Sequence, residues 1–234
     1  MWIFKSFYVI LIFVIEADHA DTYKEKHMSI TNMEDLGAMH LDVLRELGNI
    51  GSGNAATSLA SLLNATVDIE VPSISLMHYD NVAKHIGSPE ERMISLSLML
   101  EGDLDGVMLQ ITQPSFIERV INAFYPKEIH SVDDLDAMDL SAIQEIGNIS
   151  TAAYVNSLAQ LTNTFINISP PKPLIDTLDN IIQNAADQFV EIGEQVLYID
   201  ENLFIAGTEV KSSMILILSM DSMKVLFDKL GIPY

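Results

Sequence analysis

An internal repeat dominates this sequence and limits the architectures open to it. Residues 41–54 read LDVLRELGNIGSGN and residues 140–153 read LSAIQEIGNISTAA, at an offset of 99 residues. The offset aligns identical Glu, Gly, Asn and Ile residues in the two segments, and it also aligns Pro72 with Pro171 well beyond them. Because only two copies exist, the repeat predicts a duplicated domain with an internal pseudo-two-fold axis rather than a solenoid.

Each copy begins with a segment of helical periodicity, over residues 36–63 and 134–163. Apolar or small residues recur every three or four positions and define one face of each predicted helix. These residues are Leu41, Leu44, Gly48 and Gly51 in the first copy, and Leu140, Ile143, Gly147 and Ser150 in the second. Small residues on a buried face would let another backbone approach closely.

Alternation of apolar and polar residues predicts strands after each helix. The predicted strands are residues 65–71, 93–100 and 106–111, then 164–168, 195–199, 203–211 and 213–218. Amphipathic helices are predicted at residues 113–124 and 221–230, with further helices at 77–86 and 173–189. We therefore expect an α+β fold, with a mostly antiparallel sheet packed by long helices. Residues 28–234 would form one domain made of two halves, about 36–130 and 131–234.

Residues 1–27 do not share the repeat. Residues 7–15 (FYVILIFVI) form an unbroken apolar run, which is shorter than the roughly 20 residues of a membrane span but as long as the core of a signal peptide. Cleavage after Ala20 would place Asp18 at a position that prefers a small neutral residue. Three interpretations stay open: a weak export signal, a hydrophobic anchor, or an extension upstream of a true start at Met28.

Composition excludes several classes of function. The chain carries 12 basic and 33 acidic residues, for a formal net charge of −21, so we expect no nucleic-acid partner, because phosphate binding depends on Lys and Arg. The absence of cysteine excludes disulfides and thiolate chemistry and is compatible with a reducing compartment. The six histidines are scattered without metal-ligand spacing. We expect an acidic cytoplasmic protein with a cationic partner and no stable membrane insertion.

A polar stripe lies opposite the apolar face of each long helix. Asp42, Glu46 and Asn49 are spaced i, i+4, i+7 and project from one side. The equivalent face of the second copy carries Ser141, Glu145 and Asn148. A polar stripe is typical of any surface helix. Asn is, however, a mediocre helix former in mid-helix, and both copies keep Glu and Asn in register, which indicates a use.

The pattern Asp/Ser-x3-Glu-x2-Asn-x22-Pro occurs twice in one chain. It resembles the signature of the CheC/CheX/FliY family of chemotaxis phosphatases, and the similarity runs from about Met39 to the C-terminus. The resemblance implies that the chain hydrolyses the aspartyl phosphate of the response regulator CheY. By similarity, Glu46 and Glu145 would dock by pairing with the regulator's active-site lysine, while Asn49 and Asn148 would orient the attacking water.

The resemblance gives the other motif positions smaller roles. Asp42 and Ser141 would support the site, and Pro72 and Pro171 would shape its edge. No cofactor is expected on this chain, because the Mg²⁺ would belong to the regulator. An alternative is a non-enzymatic adaptor that binds the receptor deamidase CheD or the flagellar switch. The acidic stretch 174–201 is either a solvated helix and loop or, by resemblance, a contact for CheD.

Overall fold

The computed structural model describes residues 35–187 and 195–233, so the apolar segment within residues 1–27 lies outside the described residues. The elements follow in the order α1 (Ala38–Leu63), β1 (Val67–His78), α2 (Tyr79–Ile86), β2 (Arg92–Gly102), β3 (Gly106–Thr112), α3 (Pro114–Phe124), α4 (Ala137–Thr162), β4 (Ile166–Ile168), β5 (Lys172–Thr177), α5 (Leu178–Asp187), β6 (Gln195–Ile205), β7 (Thr208–Leu218) and α6 (Met220–Leu230). No helix in these ranges combines the length and the apolar character needed to cross a membrane.

All strands join one antiparallel sheet, and the expected α+β fold is confirmed. The strand order is β1-β6-β7-β3-β2, with β4 and β5 both paired to the outer edge of β2. The first strand of each half therefore pairs with the second strand of the other half. The registers are equivalent as well, because Val67 lies opposite Ile205 while Ile166 lies opposite Gly102. This exchange joins the two halves through backbone hydrogen bonds, and β3 and β7 meet at the centre.

The prolines of the repeat interrupt the two outer strands in different ways. The sequence predicts that the first strand ends at Val71, but β1 continues to His78 after a register shift between Glu70 and Ser73. The equivalent strand of the second half is divided at Pro170 and Pro171 into β4 and β5. A proline lacks the N–H that a ladder needs, so one copy absorbs it in a bulge and the other breaks.

Two other sequence predictions are wrong. The helix predicted at 173–189 begins only at Leu178, because residues 172–177 form the edge strand β5. The strands predicted at 195–199, 203–211 and 213–218 are two longer strands, β6 and β7, which are joined at Ala206 and Gly207. Both turn residues have positive φ, at 49° and 76°, as a two-residue hairpin turn requires.

The two long helices lie on one face of the sheet and run antiparallel to each other. The first half of α1 shares a core cluster with the end of α4, where Leu44 and Leu47 join Leu158. The end of α1 shares a second cluster with the start of α4, through Leu59 and Ile143. The shorter helices α2 and α5 pack together on the opposite face. The antiparallel pair is what places the two motifs on the surface of one helical layer.

Small residues allow α1 to approach α4 closely, as the sequence predicts. A methyl group added at Gly51 would lie 2.8 Å from the ring of Tyr154 on α4, whereas one added at Gly53 would meet nothing within 4 Å. Tyr154 is buried, so its ring could not move aside without disturbing the core.

This contrast gives a matched pair of substitutions within a single helix. We expect Gly51→Ala to lower the free energy of unfolding by about 1–3 kcal/mol, because it overpacks the helix interface. Gly53→Ala should raise that free energy by roughly 0.5–1 kcal/mol, since it removes only the conformational cost of a helical glycine. Urea unfolding of both variants measures the difference, and equal changes would contradict the predicted close contact.

Candidate functional site

The first motif lies on the solvent-facing side of α1. Asp42 and Asn49 are exposed and Glu46 is half-buried, while the neighbouring Leu44 and Leu47 are buried. Residues three or four positions apart share one face of a helix. The motif residues therefore lie on the outer face and the apolar residues on the inner face, as the sequence predicts. Asp42 is already occupied, because its Oδ1 forms a surface ion pair with the Nη2 of Arg45 at 3.1 Å.

The second motif lies at the equivalent place on α4. Ser141 and Glu145 are exposed and Asn148 is half-buried. Gln144 takes the position of Arg45, but its Nε2 donates to the backbone oxygen of Pro171 at 3.1 Å. Pro171 is buried. The repeated proline is therefore connected to the motif helix in this half, through a residue that the sequence pattern does not single out.

Pro72 lies within β1, in the segment where the register of that strand shifts. The structure thus brings Asp42, Glu46 and Asn49 onto one exposed face and Ser141, Glu145 and Asn148 onto another. The two prolines occupy equivalent points in the outer strands beside these helices.

Neither the glutamates nor the asparagines of the two motifs have a hydrogen-bond or ion-pair partner for their side chains within residues 35–187 and 195–233. These residues are Glu46, Asn49, Glu145 and Asn148. A side-chain amide offers both a donor and an acceptor, which suits the orientation of a water molecule, and a carboxylate accepts from a lysine ammonium. Each face therefore presents a carboxylate and a side-chain amide that are available to a partner.

A buried acid lies under the first motif. Glu201 on β6 is 4% exposed, and Ser52 of α1 donates from its Oγ to the Oε1 of Glu201 at 3.4 Å. Burial raises the pKa of Glu201 to about 7, and the hydrogen bond from Ser52 offsets only part of that effect. Burial also raises the pKa of Tyr154, and the nearby Glu201 carboxylate raises it further. The floor of this site therefore holds an ionisable group.

The second motif rests on neutral groups instead. Ser150 of α4 donates to the Oε1 of Gln110 at 3.5 Å, and Gln110 donates from its Nε2 to Ser212 at 3.3 Å. Thr151, the equivalent of Ser52, has a buried hydroxyl without a partner among the described residues. The two sites are alike on the outer surface of the helices and different underneath, so pH should affect the two halves unequally.

Sequence reasoning missed Glu201 although a signal was available. Glu201 is in phase with Leu197, Ile199 and Leu203 along β6, and that side of the strand faces the long helices. The prediction of a break between two strands removed it from this alternation. Over the same described ranges, no group of three or more His, Cys, Asp or Glu residues could hold a metal ion.

The CheC-like family matches this chain over residues 39–76 and 138–174. These ranges begin at equivalent positions of the repeat, and each contains one motif and its proline. Among solved structures, the X-ray crystal structure of Thermotoga maritima FliY matches with a TM-score of 0.70 and 25% sequence identity, covering 84% of this chain and 98% of that chain.

Two curated relatives match this chain over longer stretches than the two ranges of the family match. The Flagellar motor switch phosphatase FliY of Bacillus subtilis strain 168 is 25% identical over 202 residues, which is 86% of this chain and 52% of that protein. The chain thus spans about half of that relative. The CheY-P phosphatase CheC of the same organism is 33% identical over 195 residues, covering 82% of this chain and 93% of that protein. A match of that extent, with both motifs in place, shows that the chain belongs to the CheC-like family.

Proposed function

We propose that this protein is a chemotaxis phosphatase that hydrolyses the aspartyl phosphate of phosphorylated CheY. The observation that carries the proposal is the presence of two equivalent exposed faces, one on α1 and one on α4, each with a Glu and an Asn three residues apart. The names of the two Bacillus subtilis relatives support a phosphatase acting in chemotaxis or at the flagellar motor.

The residues divide the work according to their chemistry. Glu46 and Glu145 pair with the lysine of the regulator's active site and fix the orientation of the complex. Asn49 and Asn148 hold the attacking water in line with the phosphoryl group, using one donor and one acceptor. Phosphoryl transfer from an acyl phosphate passes through a loose transition state, so positioning supplies most of the catalysis. No nucleophile on this chain is required by this mechanism.

The same proposal assigns the other components. The Mg²⁺ that accompanies an aspartyl phosphate is held by the regulator, beside the phosphoryl group. The net charge of −21 favours the approach of a partner whose docking group is a lysine, because complementary charge steers diffusional encounter. The reaction takes place in the cytoplasm, where the sequence also predicts the protein to be.

Single and double substitutions of the asparagines test the mechanism. Phosphate release from phosphorylated CheY is measured with the parent protein, Asn49→Ala, Asn148→Ala and the double variant. We expect each single variant to lose the contribution of its own site. In the double variant, the acceleration of phosphate release should fall about tenfold or more, because the water is no longer positioned. Both residues face solvent or are half-buried, so all variants should fold.

A double variant that accelerates release as well as the parent would overturn the proposal. The adaptor alternative makes a different prediction, namely stable binding to CheD or to the flagellar switch with no acceleration of regulator dephosphorylation. A pull-down with CheD, made beside the release assay, separates the two functions.

A further inference from the structure

Two exposed methionines occupy equivalent places on the long helices. Met39 and Met138 are separated by the repeat offset of 99 residues, and each is the second residue of its helix. Their exposed fractions are 40% and 65%. Within the described ranges the other exposed large apolar side chains are Phe124 and Phe165, at 43% and 66%, and the offset does not relate those two. A solvent-exposed apolar side chain has therefore been kept at one position in both copies.

Each methionine lies on the motif face of its helix. Met39 precedes Asp42, Glu46 and Asn49 by three, seven and ten residues, and these separations keep the four side chains on one side. With a rise of 1.5 Å per residue, Met39 lies roughly 10 Å from Glu46 and roughly 15 Å from Asn49 along the axis. Met138 has the same separations from its own motif.

We propose that Met39 and Met138 are apolar anchors for the receiver domain of the phosphorylated response regulator, each serving the site on its own helix. This inference rests on the proposed function. A protein interface of ordinary size covers about 800 Å² on each partner, which corresponds to a round patch with a radius of about 16 Å. A regulator that places its phosphoryl group at Asn49 therefore reaches Met39, and one at Asn148 reaches Met138.

The chemistry of the face explains why an apolar contact is needed. The motif offers carboxylates and amides at exposed or half-buried positions, and ion pairs at such positions contribute little affinity by themselves. Burial of an apolar side chain supplies affinity without a fixed direction. Methionine suits this task, because its flexible thioether adapts to an irregular partner surface. The regulator should accordingly present an apolar patch about 15 Å from its phosphoryl group.

The two anchors should differ in strength. Met39 lies one turn from the Asp42–Arg45 ion pair, whereas Met138 lies one turn from the uncharged Ser141. Met138 is also the more exposed of the two, so it has more apolar surface to bury against a partner. We expect its replacement to weaken docking more than replacement of Met39.

The test isolates one site at a time. In an Asn148→Ala background, where only the first site remains, Met39→Ser is compared with Phe124→Ser. Phe124 ends α3, which packs against the end of α1 opposite to Met39. In an Asn49→Ala background, Met138→Ser is compared with Phe165→Ser. Phe165 lies just beyond the end of α4 that is far from Met138. Each control removes an apolar side chain of matching exposure.

We expect Met39→Ser to raise KM for the phosphorylated regulator about threefold and Met138→Ser to raise it about fivefold, with kcat unchanged, because a contact made equally in the ground and transition states is lost. The phenylalanine controls should leave KM unchanged. Met39→Leu and Met138→Leu should restore the parent KM, because they keep the apolar surface.

Failure of the anchors can be told apart from failure of the proposed function. If either background accelerates dephosphorylation and its methionine variant has the parent KM, the anchors are wrong while the phosphatase stands. If Met→Ser changes the oligomeric state measured by light scattering and leaves KM alone, the surface joins copies of this chain and the inference is overturned. If neither background accelerates release, the proposed function fails and the anchors fail with it.

Discussion

Replacing Glu201 by Gln should make the protein more stable above pH 7 and change its stability far less at pH 5. The Glu201 carboxyl is buried under α1, and burial raises its pKa from 4.5 to about 7. In the folded protein the acid is therefore protonated over a pH range in which the unfolded chain is ionised. Gln keeps the shape and the acceptor that Ser52 uses, but it never carries the charge.

The sign follows from proton linkage. Between the unfolded pKa of 4.5 and the folded pKa of about 7, the folded state binds more protons than the unfolded state, so stability falls as pH rises. The contribution of Glu201 is complete below the unfolded pKa and is lost as pH passes the folded pKa. The loss is about 3 kcal/mol, at 1.36 kcal/mol per unit of pKa. The Gln variant escapes this loss, because it does not ionise.

Urea unfolding at pH 5, 6, 7 and 8 measures the effect as the difference between the parent and Glu201→Gln. Glu209→Gln is a matched control, because Glu209 is exposed on the neighbouring strand β7 and its replacement removes the same charge. We expect the control to run parallel to the parent across this range. A Glu201→Gln curve that is also parallel to the parent would show that the buried carboxyl does not change its ionisation.

The repeat explains why so much of the fold could be predicted. The two long helices were predicted at 36–63 and 134–163 and are observed at Ala38–Leu63 and Ala137–Thr162, because a strong apolar period and the alignment of two copies reinforce each other. The motif faces were predicted for the same reason. Once the phase of each helix is known, it follows that Glu46, Asn49, Glu145 and Asn148 lie on its outer side, where they are exposed or half-buried.

The wrong predictions concern segments whose structure depends on pairing with distant strands, and the sequence of a single segment does not reveal that pairing. The stretch Lys172–Thr177 was assigned to a helix, yet it forms a strand because β2 offers it an edge. The first outer strand continues through a bulge at Pro72, whereas the second breaks at Pro170 and Pro171, and the two copies of the repeat do not reveal that difference. The support under each motif was missed for a related reason, because Glu201 and Gln110 reach the long helices from strands more than 30 residues away in sequence.

Removing the carboxylate of Asp139 should destabilise the protein by roughly 3 kcal/mol or more. Asp139 lies in the first turn of α4 and is fully buried. It accepts hydrogen bonds from the hydroxyl of Tyr125 at 2.6 Å, from the ammonium of Lys127, and from the backbone N–H of Asp136 at 2.8 Å. Asp139→Ala would leave the hydroxyl of Tyr125 without its partner and the half-buried ammonium of Lys127 with only the exposed Asp136, which is the costly way to break such a cluster.

Asp136→Ala is the matched control. Asp136 caps the same helix, accepting from the N–H groups of Met138 and Asp139 at 2.8 and 3.1 Å, and also contacts Lys127. Its side chain is exposed, so we expect its loss to cost only about 1 kcal/mol, as for other N-caps. Thermal and urea unfolding measure both variants. A loss for Asp139→Ala no larger than that for Asp136→Ala would contradict a special role for the buried carboxylate.

The pH dependence of the cluster opposes that of Glu201. Burial alone would raise the pKa of Asp139, but the hydrogen bonds from Lys127 and Tyr125 outweigh burial and lower it. Its contribution is therefore present above the unfolded pKa of 3.8 and is lost as pH falls. Asp139→Ala should accordingly remove part of the parent's sensitivity to acid.

His40 performs the equivalent task at the start of α1 with different chemistry. Its Nδ1 accepts from the N–H of Gly37 at 3.1 Å, its Nε2 lies 3.0 Å from the backbone oxygen of Pro233, and its ring meets the edge of Phe227. Each long helix is thus fastened at its first turn to the region that follows the last helix of a half, by an acid in one copy and an imidazole in the other. Each motif begins within two turns of such a contact. We therefore expect Asp139→Ala to disturb the second site and to leave the first intact. Phosphate release in the Asn49→Ala background, where only the second site remains, should fall, while release in the Asn148→Ala background, where only the first site remains, should not.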